Sequence, residues 1–467
     1  MFLWCNKATP VTVIQYIMMT IMGVKDAVMG RMLGNAQKFS DQQVAQTLNL
    51  MIEHGVKREA SDIHIEPHER FVLVRYRIDG ALRGIHKLPR PVLVTVMRQL
   101  KNLANLDEEE VRLPQEGSFT TTVLGQEVTV RVATAPVFGG EKAVLHLTPH
   151  LDRPHELEQL GFWGEGLNNI RATLARQHGL IIVAGPKHSG ISTTIHSMLG
   201  LLGSPSLSIA TVEEHAQHRL LGASQTYADA QTGISTLEGM QAVLRQDPNV
   251  IMVENLPDKA TAELAVHAAV TGHLLVTGLR ADTAVACLAR LRALGVEPFL
   301  LASAVRLCIG QRLVRMLCPD CREQYNLDAK ESRALDKAFG ISTPASRHRL
   351  YELERQAAEA GIGDQRQLAS TPSGVTRLWR ASADGCPNCD RTGYKGRTAI
   401  TEVLPITDTL QKRLMSHTNP TAADLHAAAL KEGFIPMPLD GLVKSLRGIT
   451  TPTEVIRVIA PSSNIQL

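Results

Sequence analysis

From about Ser40 the apolar positions take helical spacing: within Asp41 to Gly55, Val44, Leu48, Met51 and Ile52 fall on one face. Ser61-Asp-Ile-His-Ile-Glu66 then alternates with period two, as do Val72 to Ile78 and Glu127 to Ala133, with a helix expected around Pro91 to Leu106. Ala143 to Leu147 closes this pattern, which predicts a first α/β domain over 40–150. A connector, Thr148 to Glu156, leads to a helix expected over Gly164 to Gln177. Gly179-Leu-Ile-Ile-Val-Ala184 is unbroken and apolar, the pattern of a strand buried on both faces. Similar runs at Ser208 to Val212, Val250 to Val253 and His273 to Leu279 alternate with helical stretches, which predicts a doubly wound parallel sheet. This second domain, 157–317, is expected to close with a helix ending near Leu317. Lys330 to Gln367 reads as polar helices and Ser370 to Thr376 as a loop, both inside an insertion over 322–385, and 406–467 reads as a helical C-terminal region.

The length of 467 residues suits two or three such domains, since single cores stop growing near ~250–300 residues. With 44% hydrophobic residues, 20% charged residues and a net charge of +3, nothing in the composition calls for a nucleic-acid or membrane partner, and no nucleic acid is expected. The apolar run Val11 to Val24 carries Gln15 and falls short of the ~20 residues of a spanning helix. Residues 1–39 are therefore read as a docking or poorly folded leader in preference to an anchor. Of seven cysteines, four form Cys318-Pro-Asp-Cys321 and Cys386-Pro-Asn-Cys389. With no secretory signal in view, two Cys-x2-Cys pairs point to metal or redox chemistry in a reducing cytoplasm. Sixty-four residues separate the pairs, and together they supply the four thiolates of a closed, structural Zn2+ site, a redox role being the alternative. Cys5, Cys287 and Cys308 read as ordinary buried or leader thiols.

Gly185-Pro186-Lys187-His188-Ser189-Gly190-Ile191-Ser192 lies between the buried run and a helical stretch from Thr193 to Leu202, the setting in which a glycine-rich loop wraps phosphates with main-chain N–H groups. It fits Gly-x4-Gly-Lys-Ser/Thr except that Ile191 stands where the lysine reaches the β and γ phosphates, and an apolar side chain neutralises no charge. Lys187 is the candidate substitute cation. Ser192 keeps the hydroxyl that binds Mg2+, and Gly190 permits close backbone approach. ATP and Mg2+ binding by the main chain of 185–193 and a relic loop that binds nothing tightly both stay open.

Several further runs carry a resemblance. Ala60-Ser-Asp-Ile-His-Ile-Glu-Pro67, Arg75-Tyr-Arg-Ile-Asp-Gly80, Arg112-Leu-Pro-Gln-Glu-Gly117, Leu244-Arg-Gln-Asp-Pro-Asn-Val-Ile-Met-Val253, Thr271-Gly-His273, Pro298 to Ser303 and Gln311-Arg-Leu-Val-Arg315 occur in order. The chain resembles the ATPases of type II secretion and type IV pilus assembly over about 40–325 and again over 385–405. The resemblance implies a PAS-like first domain, a RecA-like P-loop domain and a zinc-bearing C-terminal region. It also implies a hexameric ring, peripheral at the cytoplasmic face of the inner membrane and working with inner-membrane platform proteins. The family's larger N-terminal docking domain finds no counterpart.

Against the family pattern, the glutamate expected after Val253-Gly is replaced by Asn255, with Glu254 one position early. A one-residue shift on an extended strand turns a side chain to the opposite face unless a bulge intervenes. The acidic box reads Thr211-Val-Glu213-Glu-His-Ala-Gln217 and the histidine box Leu279-Arg-Ala-Asp-Thr283, although His273 is kept. Gln241 replaces the first of two nucleotide-reaching arginines and Arg245 keeps the second; Arg75, Arg77 and Arg112 are candidates for contacts across a ring interface or plain ion pairs. Glu213, Glu254, Asn255 and His273 thus form the expected catalytic set of a degenerate site. The leading expectation is a pseudo-ATPase subunit in a homo- or hetero-hexamer with an active paralogue. The alternatives are a divergent ATPase using Lys187 and Glu254, and a remnant without a partner.

Overall fold

The computed structural model describes residues 41–150, 154–214, 220–228, 233–364, 367–416 and 420–459. The expected leader, 1–39, lies outside them. Contacts divide the chain into two compact units, 1–151 and 152–467.

The first unit runs α1 (Asp41–Lys57), β1 (Ala60–Pro67), β2 (Phe71–Ile78), β3 (Ala81–Pro89), α2 (Val92–Leu103), β4 (Gln115–Val123), β5 (Gln126–Val137) and β6 (Gly140–Pro149). The strands form one antiparallel sheet in the order β3-β2-β1-β6-β5-β4. Val44, Leu48, Met51 and Ile52 of α1 are buried with Ile63, Val74, Tyr76 and Leu145 beneath them, as the helical spacing requires. β3 and β4 were not expected. β3 follows an Asp79-Gly80 turn with both residues at positive φ, the signature of a tight hairpin. β4 is rich in threonine, so its alternation is carried by Cβ branching more than by hydropathy.

The second unit runs α3 (Gly164–Leu174), β7 (Gly179–Ala184), α4 (Ile191–Leu201), β8 (Ile209–Glu213), β9 (Ala223–Tyr227), α5 (Thr236–Leu244), β10 (Val250–Asn255), α6 (Lys259–Val270), β11 (Leu274–Leu279), α7 (Ala284–Ala293), α8 (Pro298–Ala304) and β12 (Val305–Leu317). It continues with β13 (Glu323–Asn326), α9 (Ala329–Phe339), α10 (Pro344–Glu359), β14 (Ser370–Thr371), β15 (Gly374–Val375), β16 (Arg377–Arg380), β17 (Tyr394–Pro405), α11 (Asp408–Leu414), α12 (Ala422–Lys431), α13 (Met437–Leu446) and α14 (Pro452–Ile459). Its main sheet has the order β17-β12-β7-β11-β10-β8-β9, parallel throughout except for the antiparallel edge strand β17. β7 and β11 are buried along their whole length, which is why they read as unbroken apolar runs.

One expectation is overturned here. Val305 to Leu317 is a strand, not the end of a helix; only Pro298–Ala304 is helical. Its Leu, Arg, Gln and Met content favours a helix locally, but pairing with β7 on one side and β17 on the other decides otherwise. The expected loop at Ser370 to Thr376 contains the short β14–β15 hairpin. The insertion buries Leu335, Leu350 and Leu353 against Leu442 and Leu446 of α13, so it shares a core with the C-terminal helices. Among the described residues no helix is long and apolar enough to cross a membrane.

Candidate functional site

β7 delivers the glycine-rich loop at the C-terminal edge of the parallel strands, where this topology gathers ligands. Gly185 N–H donates to Leu279 O at 3.2 Å, and Ser189 N–H to Pro186 O at 3.2 Å. His188 and Gly190 both adopt positive φ, 67° and 86°. His188 therefore holds a conformation that a glycine adopts without cost and other residues at roughly 1–3 kcal/mol. Pro186, Lys187 and His188 are exposed, and Lys187 makes no ion pair among the described residues. The buried Ser189 hydroxyl has no hydrogen-bond partner among the described residues. Ser192 and Thr193 are half-buried on the first turn of α4.

Ile191 turns toward the sheet and packs on the core formed by Ile181, Val183, Val276 and Ile309. Gly278 in β11 makes room for it: a Cβ there would stand 2.9 Å from Ile191 Cγ2 and 2.6 Å from the carbonyl oxygen of Glu254. A glycine inside a buried strand marks such a close approach.

Glu213, at the end of β8, is buried and fully engaged. Its Oε1 accepts from the Thr211 hydroxyl at 2.6 Å and Gln225 Nε2 at 3.0 Å, while His196 Nε2 stands 3.5 Å from Oε2. Burial pushes its carboxyl upward, but the contacts with His196, Thr211 and Gln225 outweigh this and hold it below the ordinary value. His196 Nδ1 in turn lies 2.7 Å from Ser192 O, so α4 and the acidic box are joined through one imidazole. His215 and Gln217 of that box lie outside the described residues.

Glu254 was expected on the opposite face of the strand unless a bulge intervened, and a bulge does intervene. β10 pairs Val253 with Thr277 and Asn255 with Gly278, leaving Glu254 as a bulge. Both side chains consequently meet Glu214: Glu254 Oε2 accepts its main-chain N–H at 2.7 Å, and Asn255 Nδ2 donates to its Oε1 at 2.6 Å.

The structure does not bring every expected residue to the loop. His273 lies at the opposite edge, where its carbonyl accepts from Gly179, the first residue of β7. Six residues of strand, roughly 20 Å at ~3.3 Å each, separate it from Leu279. Its imidazole is held by Ala268 O at 3.0 Å, a turn-closing contact. Arg245 is exposed at the C-cap of α5. In the first unit Arg75 pairs with Glu66 at 2.7 Å and Arg77 with Asp62 at 3.1 Å. Glu66 is held down to about 2 against the effect of its burial, by Arg75 and Lys142. Sequence reasoning missed His196 and Gln225, and it placed Asp282, Gln311 and Arg312 in motif runs without finding their contacts. Arg312 Nη2 donates to Asp282 at 3.0 Å, steadying the histidine-box segment; only proximity in the fold reveals these.

The second candidate site is the cysteine cluster. The Sγ atoms of Cys318, Cys321, Cys386 and Cys389 lie within 4.8 Å of one another, with 3.7 Å between Cys318 and Cys386 and 3.8 Å between Cys321 and Cys389. Zn–S bonds of ~2.3 Å in a tetrahedron give S···S edges of about 3.8 Å, so the donor set fits Zn2+. Cys389 Sγ also accepts main-chain N–H groups from Cys386 and Gly393, each at 3.2 Å. Although burial raises the thiol, these bonds bring it to about 6, favouring the thiolate a metal needs.

A parallel sheet with a glycine-rich loop at its C-terminal edge places the chain among P-loop proteins. The chain belongs to the type II/IV secretion system protein family, whose model matches residues 37–457. It is 35% identical over 422 residues to the type II secretion system ATPase E of Vibrio cholerae, covering 90% of this chain and 76% of that protein. It is 32% identical over 427 residues to the type IV pilus assembly ATPase PilB of Myxococcus xanthus, covering 91% and 69%. Among solved structures it resembles the ATPase DotB of Legionella pneumophila, at TM-score 0.62 and 18% identity over 92% of this chain and 99% of that one. It also resembles the pilus retraction motor PilT with bound ADP, at TM-score 0.55 and 19% identity over 90% and 98%. These two likenesses establish the shared fold.

Proposed function

We propose that the chain is a subunit of a type II secretion or type IV pilus assembly motor that acts as a pseudo-ATPase. In this reading it takes a place in a hexameric ring beside an active paralogue, at the cytoplasmic face of the inner membrane, and shapes or regulates the motor through its fold. Its relatives by sequence, a secretion ATPase and a pilus assembly ATPase, support the setting. The observation that carries the loss of catalysis is Ile191, an apolar side chain packed against the core at the position where a lysine would offset phosphate charge. Asn255, which accepts no proton as a carboxylate does, and Glu213, already engaged on both oxygens, point the same way. Nucleotide binding through the loop's main chain stays within this reading, since Gly190 and the unpartnered Ser189 hydroxyl are retained. Zn2+ in the four-cysteine site is the structural cofactor, holding the start of β17 against the end of β12.

The test is Mg2+-dependent phosphate release by the purified chain, beside an active relative at equal concentration. The expected rate is indistinguishable from background, and turnover comparable with the relative would sink the proposal. The bulge at Glu254 favours one competing reading, a divergent ATPase in which this carboxylate and Lys187 replace the lost groups. That reading predicts phosphate release abolished by Lys187→Ala and by Glu254→Gln.

A further inference from the structure

β12 is 13 residues long and β7 only six. Their parallel register pairs Ile309 with Val183 and Gly310 with Ala184, so β12 runs on where β7 ends and the glycine-rich loop begins. Gln311 is the first residue past that point, and it is buried. Its Nε2 donates to Ser189 O at 2.8 Å, and its Oε1 accepts from the Thr194 hydroxyl at 2.8 Å. One amide thus clasps the last turn of the loop and the first turn of α4. The glycines on either side are shaped to it: a Cβ on Gly190 would stand 2.9 Å from Gln311 Nε2, and one on Gly185 2.7 Å from Gln311 O.

The geometry points to Gln311 as the positioning residue of the phosphate loop, fixing the Ser189–Gly190 peptide so that its N–H is presented to the phosphates of a nucleotide. The reason is the trans peptide plane, in which the carbonyl of one residue and the N–H of the next point in opposite directions. Holding Ser189 O against β12 turns Gly190 N–H away from β12, and Gly190 reaches this orientation at a φ of 86°. Only a side chain that donates and accepts at once satisfies both partners. A glutamate would set a charge against the Ser189 carbonyl, and a leucine would leave two polar groups unpaired. The clasp acts on the backbone, so it keeps the loop in a phosphate-ready shape even with Ile191 in place of lysine. This inference rests on the reading of 185–193 as a nucleotide site.

The experiment uses the full chain carrying Gln311→Leu, Gln311→Glu or Thr194→Val. Amide hydrogen exchange is followed over 186–194 and over 305–309, and affinity is measured for a fluorescent ATP analogue with Mg2+. Both Gln311 variants are expected to speed exchange of the loop roughly tenfold and to weaken the analogue by a similar factor, with Thr194→Val smaller in the same direction. Exchange over 305–309 is expected to stay at the wild-type rate, which a generally destabilised fold would not allow. Loop exchange unchanged in Gln311→Leu overturns the proposal, as does a rise shared equally by 305–309. If the wild-type chain binds no analogue, the nucleotide reading fails, and the exchange arm still decides whether Gln311 holds the loop.

Discussion

Gly278 shows how far the replacement of a single lysine reaches. Because the Ile191 side chain and the Glu254 carbonyl both crowd its Cα, Gly278→Ala is expected to destabilise the second unit by about 1–3 kcal/mol, read as a lower denaturant midpoint. A midpoint equal to wild type would mean that the bulge in β10 gives way freely. In the first unit, His86 lies 5.4 Å from His54 and 5.9 Å from Tyr76, ring to ring, and both its nitrogens are buried without hydrogen-bond partners among the described residues. Burial, with help from His54 and Arg58, lowers it from 6.5 to about 4. Between those values the unfolded chain binds a proton that the folded chain does not, so stability falls as pH drops from 6.5 toward 4. The full difference is up to about 3 kcal/mol. His86→Phe is expected to flatten this limb, measured by denaturant unfolding of the first unit at pH 7 and pH 5; an unaltered pH slope would count against it. At this scale the sequence displayed the loop, the four cysteines and the missing lysine, because each is a short pattern with a chemical reason. His196 went unnoticed and Gln311 stood in a motif run without a role, since each matters only through partners distant along the chain or one helical turn away.

Among the elements, β12 and β17 do the joining. They pair from Leu307 with Pro405 to Leu317 with Tyr394, ending at the cysteine cluster. Glu402 of β17 accepts Ala284 N–H at 2.6 Å and Met437 N–H at 3.1 Å, capping α7 and α13 together. Metal removal is therefore expected to loosen the far end of this ribbon first. Chelation, or Cys386→Ser, should lower the melting temperature by more than about 5 °C and speed amide exchange over 314–318 and 389–397 before 305–311. No change in either readout would separate the cluster from stability. The buried strands of the parallel sheet were legible because they are short, apolar and bounded by helices. β12 was misread because its C-terminal half carries the half-buried Arg312 and Arg315 among leucines, a pattern that fits a helix face as well as a strand. The bulge in β10 left no mark in the sequence at all, yet it decides where Glu254 points.

For the whole molecule, the proposed role makes association the decisive property. Mixed with an active family member from the same cell, the chain is expected to co-elute in a ring-sized species on size exclusion and to change that partner's ATP turnover at least about twofold. Separate elution with unchanged turnover would leave the chain without the regulatory part assigned to it. Ribosomal synthesis brings one more demand. Residues 318–393 are made after β12 and before the strand that covers its outer edge. At ~5–20 residues per second, the nascent protein carries that outer edge, Leu307 to Leu317, without its partner strand for roughly 4–15 s, an invitation to foreign pairing that its arginines help to turn away.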